Sequence, residues 1–158
     1  MSIFNLKQKI NLAKNVITKS APLYVQFYIT ARCNLACEQC NIIYADAKHQ
    51  EMNIEQINQV AENLKKIGVC IVLLIGGEPF VRKDISEIVK AFTSRNIHVR
   101  MQTNGVATRE QLEACVKAGG NDISISLDTL KPSMQDKING GFNKSWEKAI
   151  ESIAMVSD

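Results

Sequence analysis

Three cysteines, Cys33, Cys37 and Cys40, fall within the eight residues CNLACEQC, in a polar stretch that directly follows an apolar run. Soft thiolates select iron–sulfur clusters or zinc. A structural zinc site takes four protein ligands. Three thiolates therefore suit an iron–sulfur cube in which one iron stays open to bind something else. Two other readings stand beside it. One is a zinc site completed by His49, the nearby histidine; the other is a row of thiols on one helix face as core filler, for which the intervening Asn34, Glu38 and Gln39 are poorly suited. The chain has five cysteines, an odd number with three of them bunched, which fits metal chemistry in a reducing compartment better than a disulfide framework. Cys70 and Cys115 sit among apolar neighbours and read as buried filler.

The elements that must position these thiols follow from hydrophobic spacing. Ile3, Leu6, Ile10, Ala13 and Ile17 recur at helical period, with Lys7, Lys9 and Lys14 elsewhere on the wheel. Residues 1–20 are read as an amphipathic helix docked on the domain, with a membrane-surface helix as the alternative. Pro22 separates it from LYVQFYIT, a strand rich in aromatic and β-branched residues. Past the cysteines, Ile54, Ile57, Val60, Ala61, Leu64 and Ile67 mark a helix that Asn53 caps and Gly68 closes. The run VCIVLLI follows as a continuously apolar strand ended by a glycine pair. The same step then recurs. Asp84 with Glu87 has the spacing of a capping box, IHVRMQ is the third strand, and Thr108 with Gln111 opens another capped helix that Gly119 and Gly120 close. DISISL is the fourth strand and NKSWEKAIESIAMV its helix. This alternation predicts an α/β fold with a parallel sheet and right-handed crossovers, either doubly wound or part of a barrel.

Three of the strands alternate, although a parallel strand covered on both faces is apolar throughout. Ser124, Ser126 and Asp128 oppose Ile123, Ile125 and Leu127; His98, Arg100 and Gln102 oppose Ile97, Val99 and Met101; Tyr24, Gln26, Tyr28 and Thr30 oppose Val25, Phe27 and Ile29. A polar face on a curved parallel sheet predicts a cavity for a polar ligand. Such ligands sit at the carboxyl ends of the strands. Every unusual loop falls there: TARCNLACEQC after the first strand, GGEPF after the second, TNG after the third and DTLKP after the fourth.

Composition limits the remaining classes. With 158 residues, 46% of them hydrophobic and 22% charged, the chain suits one folded domain rather than a disordered or fibrous one. No apolar run approaches the roughly 20 residues needed to span a bilayer, and the start lacks the pattern of a signal peptide. The expected location is the cytoplasm. A net charge of +3 with no basic stripe interleaved with aromatics gives no reason to expect nucleic acid.

The CxxxCxxC loop after the first strand, together with GGEP after the second, resembles the radical S-adenosylmethionine (radical SAM) superfamily, nearest to members that mature peptides, proteins or cofactors. The resemblance covers roughly residues 21–158. It implies a partial (β/α) barrel of the TIM type, and a 4Fe–4S cluster on Cys33, Cys37 and Cys40 whose open iron chelates S-adenosylmethionine. Reductive cleavage would then give a 5'-deoxyadenosyl radical that takes a hydrogen atom from a small-molecule or peptide substrate. It also implies a one-electron donor such as flavodoxin or ferredoxin. Gly76, Gly77, Glu78 and Pro79 would meet the ligand, the glycines by letting backbone approach it and Glu78 by suiting its ammonium group. Thr103, Asn104, Ser126 and Asp128 would face the same cavity. At Thr103 and Asn104, strand-end capping and turn formation are the competing roles.

Three features depart from the family pattern. Gln39 stands where many members place an aromatic residue before the third cysteine, with Tyr44 the nearest aromatic downstream; Asn139, in DKINGG, stands where an arginine is common. About four βα units are present of an expected six, so the chain reads as a core domain incomplete at its C-terminal end, with an exposed sheet edge.

Overall fold

The computed structural model describes residues 4–18, 21–41 and 50–157. Helix α1 (Leu6–Thr18) is followed by β1 (Tyr24–Thr30), α2 (Ile54–Ile67), β2 (Ile71–Gly76), α3 (Ile85–Thr93), β3 (His98–Thr103), α4 (Arg109–Lys117), β4 (Asp122–Ile125), α5 (Pro132–Ile138) and α6 (Ser145–Ser157). The four strands form one parallel sheet in the order β1-β2-β3-β4. The fold is thus the open arc of parallel strands and crossover helices expected of a partial (β/α) barrel.

One face of the arc carries the core. Val72, Leu74, Val99 and Met101 point toward the helices and meet Ile57, Ala61, Ile88, Val89, Phe92, Leu112 and Cys115. Phe27 of β1 packs edge-on against Phe92, with ring centroids 5.9 Å apart. The opposite face is the polar one: Tyr24, Gln26, Tyr28, Arg100, Gln102 and Ser124 are exposed. At its amino end this face is ion-paired rather than open. Asp122 accepts from His98 Nε2 at 2.8 Å and from Arg100 Nε at 3.0 Å, and the Phe4 ring lies 4.6 Å from that of His98.

Local chemistry explains most boundaries. Asn53 and Gln56 form a capping box on α2, and Gly68 closes it at φ +92°. Thr108 and Gln111 do the same for α4. Asp84 does not cap α3 with its side chain. Its carboxylate is held instead by Arg82, at 2.9 and 2.6 Å, which also keeps it below the usual carboxylate range. Arg82 is buried and donates further to the carbonyls of Ile29 and Met52, tying the end of β1 to the approach of α2. The fourth strand stops at Ile125, so Ser126 and Asp128 lie beyond it on the loop. That loop carries α5, which the sequence reading leaves as irregular chain. Asp136 of α5 accepts from the backbone of Lys144 and Ser145 and from the Ser145 hydroxyl, thereby capping α6.

Helix α1 docks, but by the unexpected face. Its apolar stripe points outward, with Leu6 74%, Ile10 58% and Ile17 80% exposed. The contact is polar: buried Asn15 donates to the Gly68 carbonyl and to Cys70 Sγ, and Asn5 donates to Asn96 at 3.0 Å. Cys70 and Cys115 are buried as expected, and burial pushes the Cys115 thiol up to about 12. Among the described residues no helix is long and apolar enough to cross a membrane.

Candidate functional site

The glycine pair after β2 is required by a close backbone approach. Gly77 N donates to the Thr30 carbonyl at 3.0 Å, and Glu78 N to the Arg32 carbonyl at 2.8 Å. A Cβ on Gly76 would stand 2.3 Å from the Thr30 oxygen, and one on Gly77 would stand 2.1 Å from the Arg32 oxygen. The expectation was that these glycines admit a ligand. They also approach the root of the cysteine loop, which Gly77 N and Glu78 N hold by one hydrogen bond each.

Glu78 then joins this loop to the next one. Its side chain is buried, 1% exposed. One carboxylate oxygen accepts from Phe80 N at 3.0 Å and from the Thr103 hydroxyl at 2.9 Å; the other accepts from Asn104 N at 2.7 Å. Burial pushes its carboxyl above the ordinary value, and these three bonds pull the other way. Pro79 opens a single 3₁₀ turn, Pro79–Val81, where a missing N–H costs nothing. Thr103 also accepts from Gly105 N at 3.1 Å, and Asn104 Oδ1 accepts from Val106 N at 2.9 Å, so both residues do shape the turn. Asn104 nonetheless reaches the cysteine loop, because its Nδ2 donates to Asn34 Oδ1 at 2.8 Å and lies 3.9 Å from Cys33 Sγ.

The three thiols are partly exposed at this junction. Leu35 is buried and anchors the loop, and its N–H points at Cys33 Sγ at 3.4 Å. Cys40 N donates to the Cys37 carbonyl at 3.1 Å, a tight turn that sets two thiols three residues apart. Glu38 N donates to the Ile138 carbonyl at 3.1 Å, fixing the loop to the end of α5. A cavity of about 330 Å³ lies between the two, lined by Cys33, Asn34, Ala36, Asn139 and Gly140 among others. Burial raises the Cys33 and Cys37 thiols above their ordinary value, and the neighbouring thiols add to the rise at Cys37. Groups that resist ionising alone become good ligands when a cationic centre compensates their charge. Among the described residues no three His, Cys, Asp or Glu side chains converge as they would around a single metal ion. His49, Tyr44 and most of the loop after Cys40 lie outside the described residues.

The structure thus brings Cys33, Gly76, Gly77, Glu78, Thr103 and Asn104 into one bonded unit. Ser126 enters through its backbone, donating to the Thr103 carbonyl at 2.9 Å, while its side chain is exposed. Asp128 approaches from the other side, where its Oδ2 accepts from Gln135 Nε2 at 3.2 Å. Gln135, which the sequence reading passes over, is 1% exposed and accepts from Asp128 N and Thr129 N, both at 3.0 Å. No signal in the sequence separates it from a solvated helix residue, since the turn that buries it forms only when α5 folds back. Arg32 and Glu51 are likewise unforeseen: they pair at 2.8 Å, and Glu51 also accepts from Thr30, bracing the loop from outside.

Comparison with known proteins bears on this arrangement. The family model "Radical SAM superfamily" matches residues 27–158. Molybdenum cofactor biosynthesis protein 1 of Drosophila melanogaster is 34% identical, across 94% of this chain and 28% of its own length. Mycofactocin maturase MftC of Mycolicibacterium smegmatis is 30% identical, across 87% of this chain and 35% of its own. A probable GTP 3',8-cyclase of Methanocaldococcus jannaschii is 36% identical, across 70% of this chain and 38% of its own. The chain therefore spans about a third of the length of these curated relatives. Among solved structures, Streptococcus suis SuiB bound to its precursor peptide SuiA superposes with a TM-score of 0.73 at 22% identity, covering 94% of this chain and 34% of that one. The fold is the same.

Proposed function

Because this chain belongs to the radical SAM superfamily, we propose that it is the core of a radical SAM enzyme. In this reading Cys33, Cys37 and Cys40 hold the family's 4Fe–4S cluster, and residues 21–158 form the core to which residues 1–20 add a helix. Gly76, Gly77, Glu78 and Pro79, with Thr103, Asn104, Ser126 and Asp128, line the S-adenosylmethionine site. The donor set fits: three thiols and no fourth cysteine or histidine in the CNLACEQC loop, set where a parallel sheet presents its loops. When bound, the two cofactors supply one-electron cleavage of the sulfonium and removal of a hydrogen atom from a substrate.

The observation that carries the reading is Glu78. A carboxylate 1% exposed is costly unless its acceptors are used, and this one is spent on locking the loop after β2 to the loop after β3. The glycine pair locks the same loop to the cysteines. The chain thereby fastens three loops to one another, with the three thiols half-buried at their junction. Asn104 and Asn34 complete the wall beside Cys33.

For substrate we propose a peptide or a cofactor precursor, the classes named for SuiB with its precursor peptide and for the cofactor biosynthesis relative. A one-electron carrier of the flavodoxin or ferredoxin kind would meet the half-buried cysteine end. The test is anaerobic iron–sulfur reconstitution followed by electron paramagnetic resonance of the reduced protein, with and without S-adenosylmethionine. A 4Fe–4S signal that shifts on adding S-adenosylmethionine is expected. Cys37→Ala should abolish it while helix content stays unchanged. A signal indifferent to S-adenosylmethionine would reduce the reading to an electron-transfer module, and binding of colourless metal alone would replace it with a zinc site.

A further inference from the structure

The cysteine loop has a neighbour that the proposed function leaves unused. Asn139 is 6% exposed, and its Oδ1 lies 3.4 Å from Cys37 Sγ, the thiol donating. Its Nδ2 donates to no protein atom among the described residues. Its backbone is pinned. Its backbone N donates to the Gln135 carbonyl at 2.9 Å, and Ile138, just before it, accepts from Glu38 N of the cysteine loop at 3.1 Å. Gly140, just after it, holds φ +74° and sits so close to Ala36 that a Cβ there would stand 2.3 Å from the Ala36 oxygen. The chain on both sides of Asn139 is thus fastened to the cysteine loop.

A cysteine that ligates metal is a thiolate, and its sulfur can only accept. The amide oxygen that now takes the thiol proton would then face a second acceptor. Turning the amide about its last torsion exchanges Oδ1 for Nδ2 at nearly the same place. One long bond opposes the turn, from Gln135 Nε2 to Asn139 Oδ1 at 3.4 Å, and Gln135 Nε2 keeps Asp128 Oδ2 at 3.2 Å after it. We infer that Asn139 donates an N–H···S hydrogen bond to the ligating Cys37 sulfur and so raises the reduction potential of the cluster. The direction follows from charge. A reduced cluster carries one more negative charge on its sulfurs, so a donor aimed at a ligand sulfur stabilises the reduced state more than the oxidised one. Asn139 is a positioning residue in this account, since it acts through Cys37.

The inference rests on the 4Fe–4S reading, and the experiment separates the two. The 158-residue chain is reconstituted anaerobically as wild type, Asn139→Leu and Asn139→Asp, and each midpoint potential is read by a redox titration followed by electron paramagnetic resonance. Leucine keeps the volume without a donor; aspartate keeps the shape and adds a charge. The expected result is a cluster in all three, with the reduction equilibrium of Asn139→Leu about tenfold less favourable, a fall of ~59 mV for a one-electron couple, and a larger fall in Asn139→Asp. A fully loaded Asn139→Leu with the wild-type potential overturns the inference. So does loss of the cluster in both variants with unchanged circular dichroism, because Asn139 is then only a wedge between loops. A wild-type chain that binds no iron overturns the cluster reading itself and this inference with it.

Discussion

Glu78 shows how much one side chain can carry when both its oxygens are spent. Glutamine is nearly the same shape but offers one acceptor and two donors, so in Glu78→Gln an N–H must face either the Asn104 N–H or the donors of Phe80 and Thr103. At a buried position such a mismatch costs about 1–3 kcal/mol, which denaturant unfolding of the two proteins will show as a lower midpoint at the same slope. The pH dependence has a definite sign. Burial raises the Glu78 carboxyl, so the folded chain holds that proton more tightly than the unfolded one. Its contribution to stability is fully present below the ordinary carboxylate range and is lost as pH rises through the raised value. In Glu78→Gln that part of the slope should vanish. The residue itself was legible in the sequence as part of GGEP, and so were the three cysteines. Its partners were not, because a carboxylate can turn toward a ligand or toward the protein, and only the packed loops decide which.

Among the elements, the loops are fastened to one another before any ligand is considered. Gly77→Ala tests this, since its Cβ would fall 2.1 Å from a backbone oxygen that cannot yield as a flexible side chain would. The outcome expected is a folded chain, with wild-type far-ultraviolet circular dichroism, that takes up less than half the iron on reconstitution. Wild-type iron content would mean that the cysteine loop does not depend on this contact. The alternation of strand and helix was readable because each signal was local: an alternating or apolar run, a side chain at the N-cap, a glycine at the close. The capping boxes at Asn53 and Thr108 are of that kind. Asp84 has the same spacing but lies two residues from Arg82, and a buried guanidinium outbids a backbone N–H for its carboxylate. Helix α5 escaped notice for the opposite reason. Its seven residues are too few to show a period, and what holds them is Gln135 beneath and Asp136 beside.

For the molecule as a whole, α1 is the element whose pattern misleads. Hydrophobic spacing marks the stripe a helix usually buries, yet the buried residue is Asn15, which satisfies the carbonyl left open where α2 ends. Leu6→Gln together with Ile17→Gln should therefore leave unfolding stability within about 0.5 kcal/mol of wild type, as for other exposed positions. Asn15→Leu should lower it by about 1–3 kcal/mol, by removing the amide donor shared by the Gly68 carbonyl and Cys70 Sγ and leaving that carbonyl only the long Cys70 S–H contact at 3.6 Å. The reverse ranking in thermal or denaturant unfolding would mean that the stripe is the docking face after all.

The contact between Phe4 and His98 gives the molecule a direction. It lies at the amino ends of the strands, while the thiols stand beyond their carboxyl ends, and a six-residue strand such as β3 sets the two apart by roughly 20 Å. Whatever is joined ahead of Phe4, whether a purification handle, a surface linker or a fluorescent reporter, therefore leaves from the pole opposite the cysteines. The chain can be tethered by its beginning on an electrode or a bead and still offer its cysteine end to the solution.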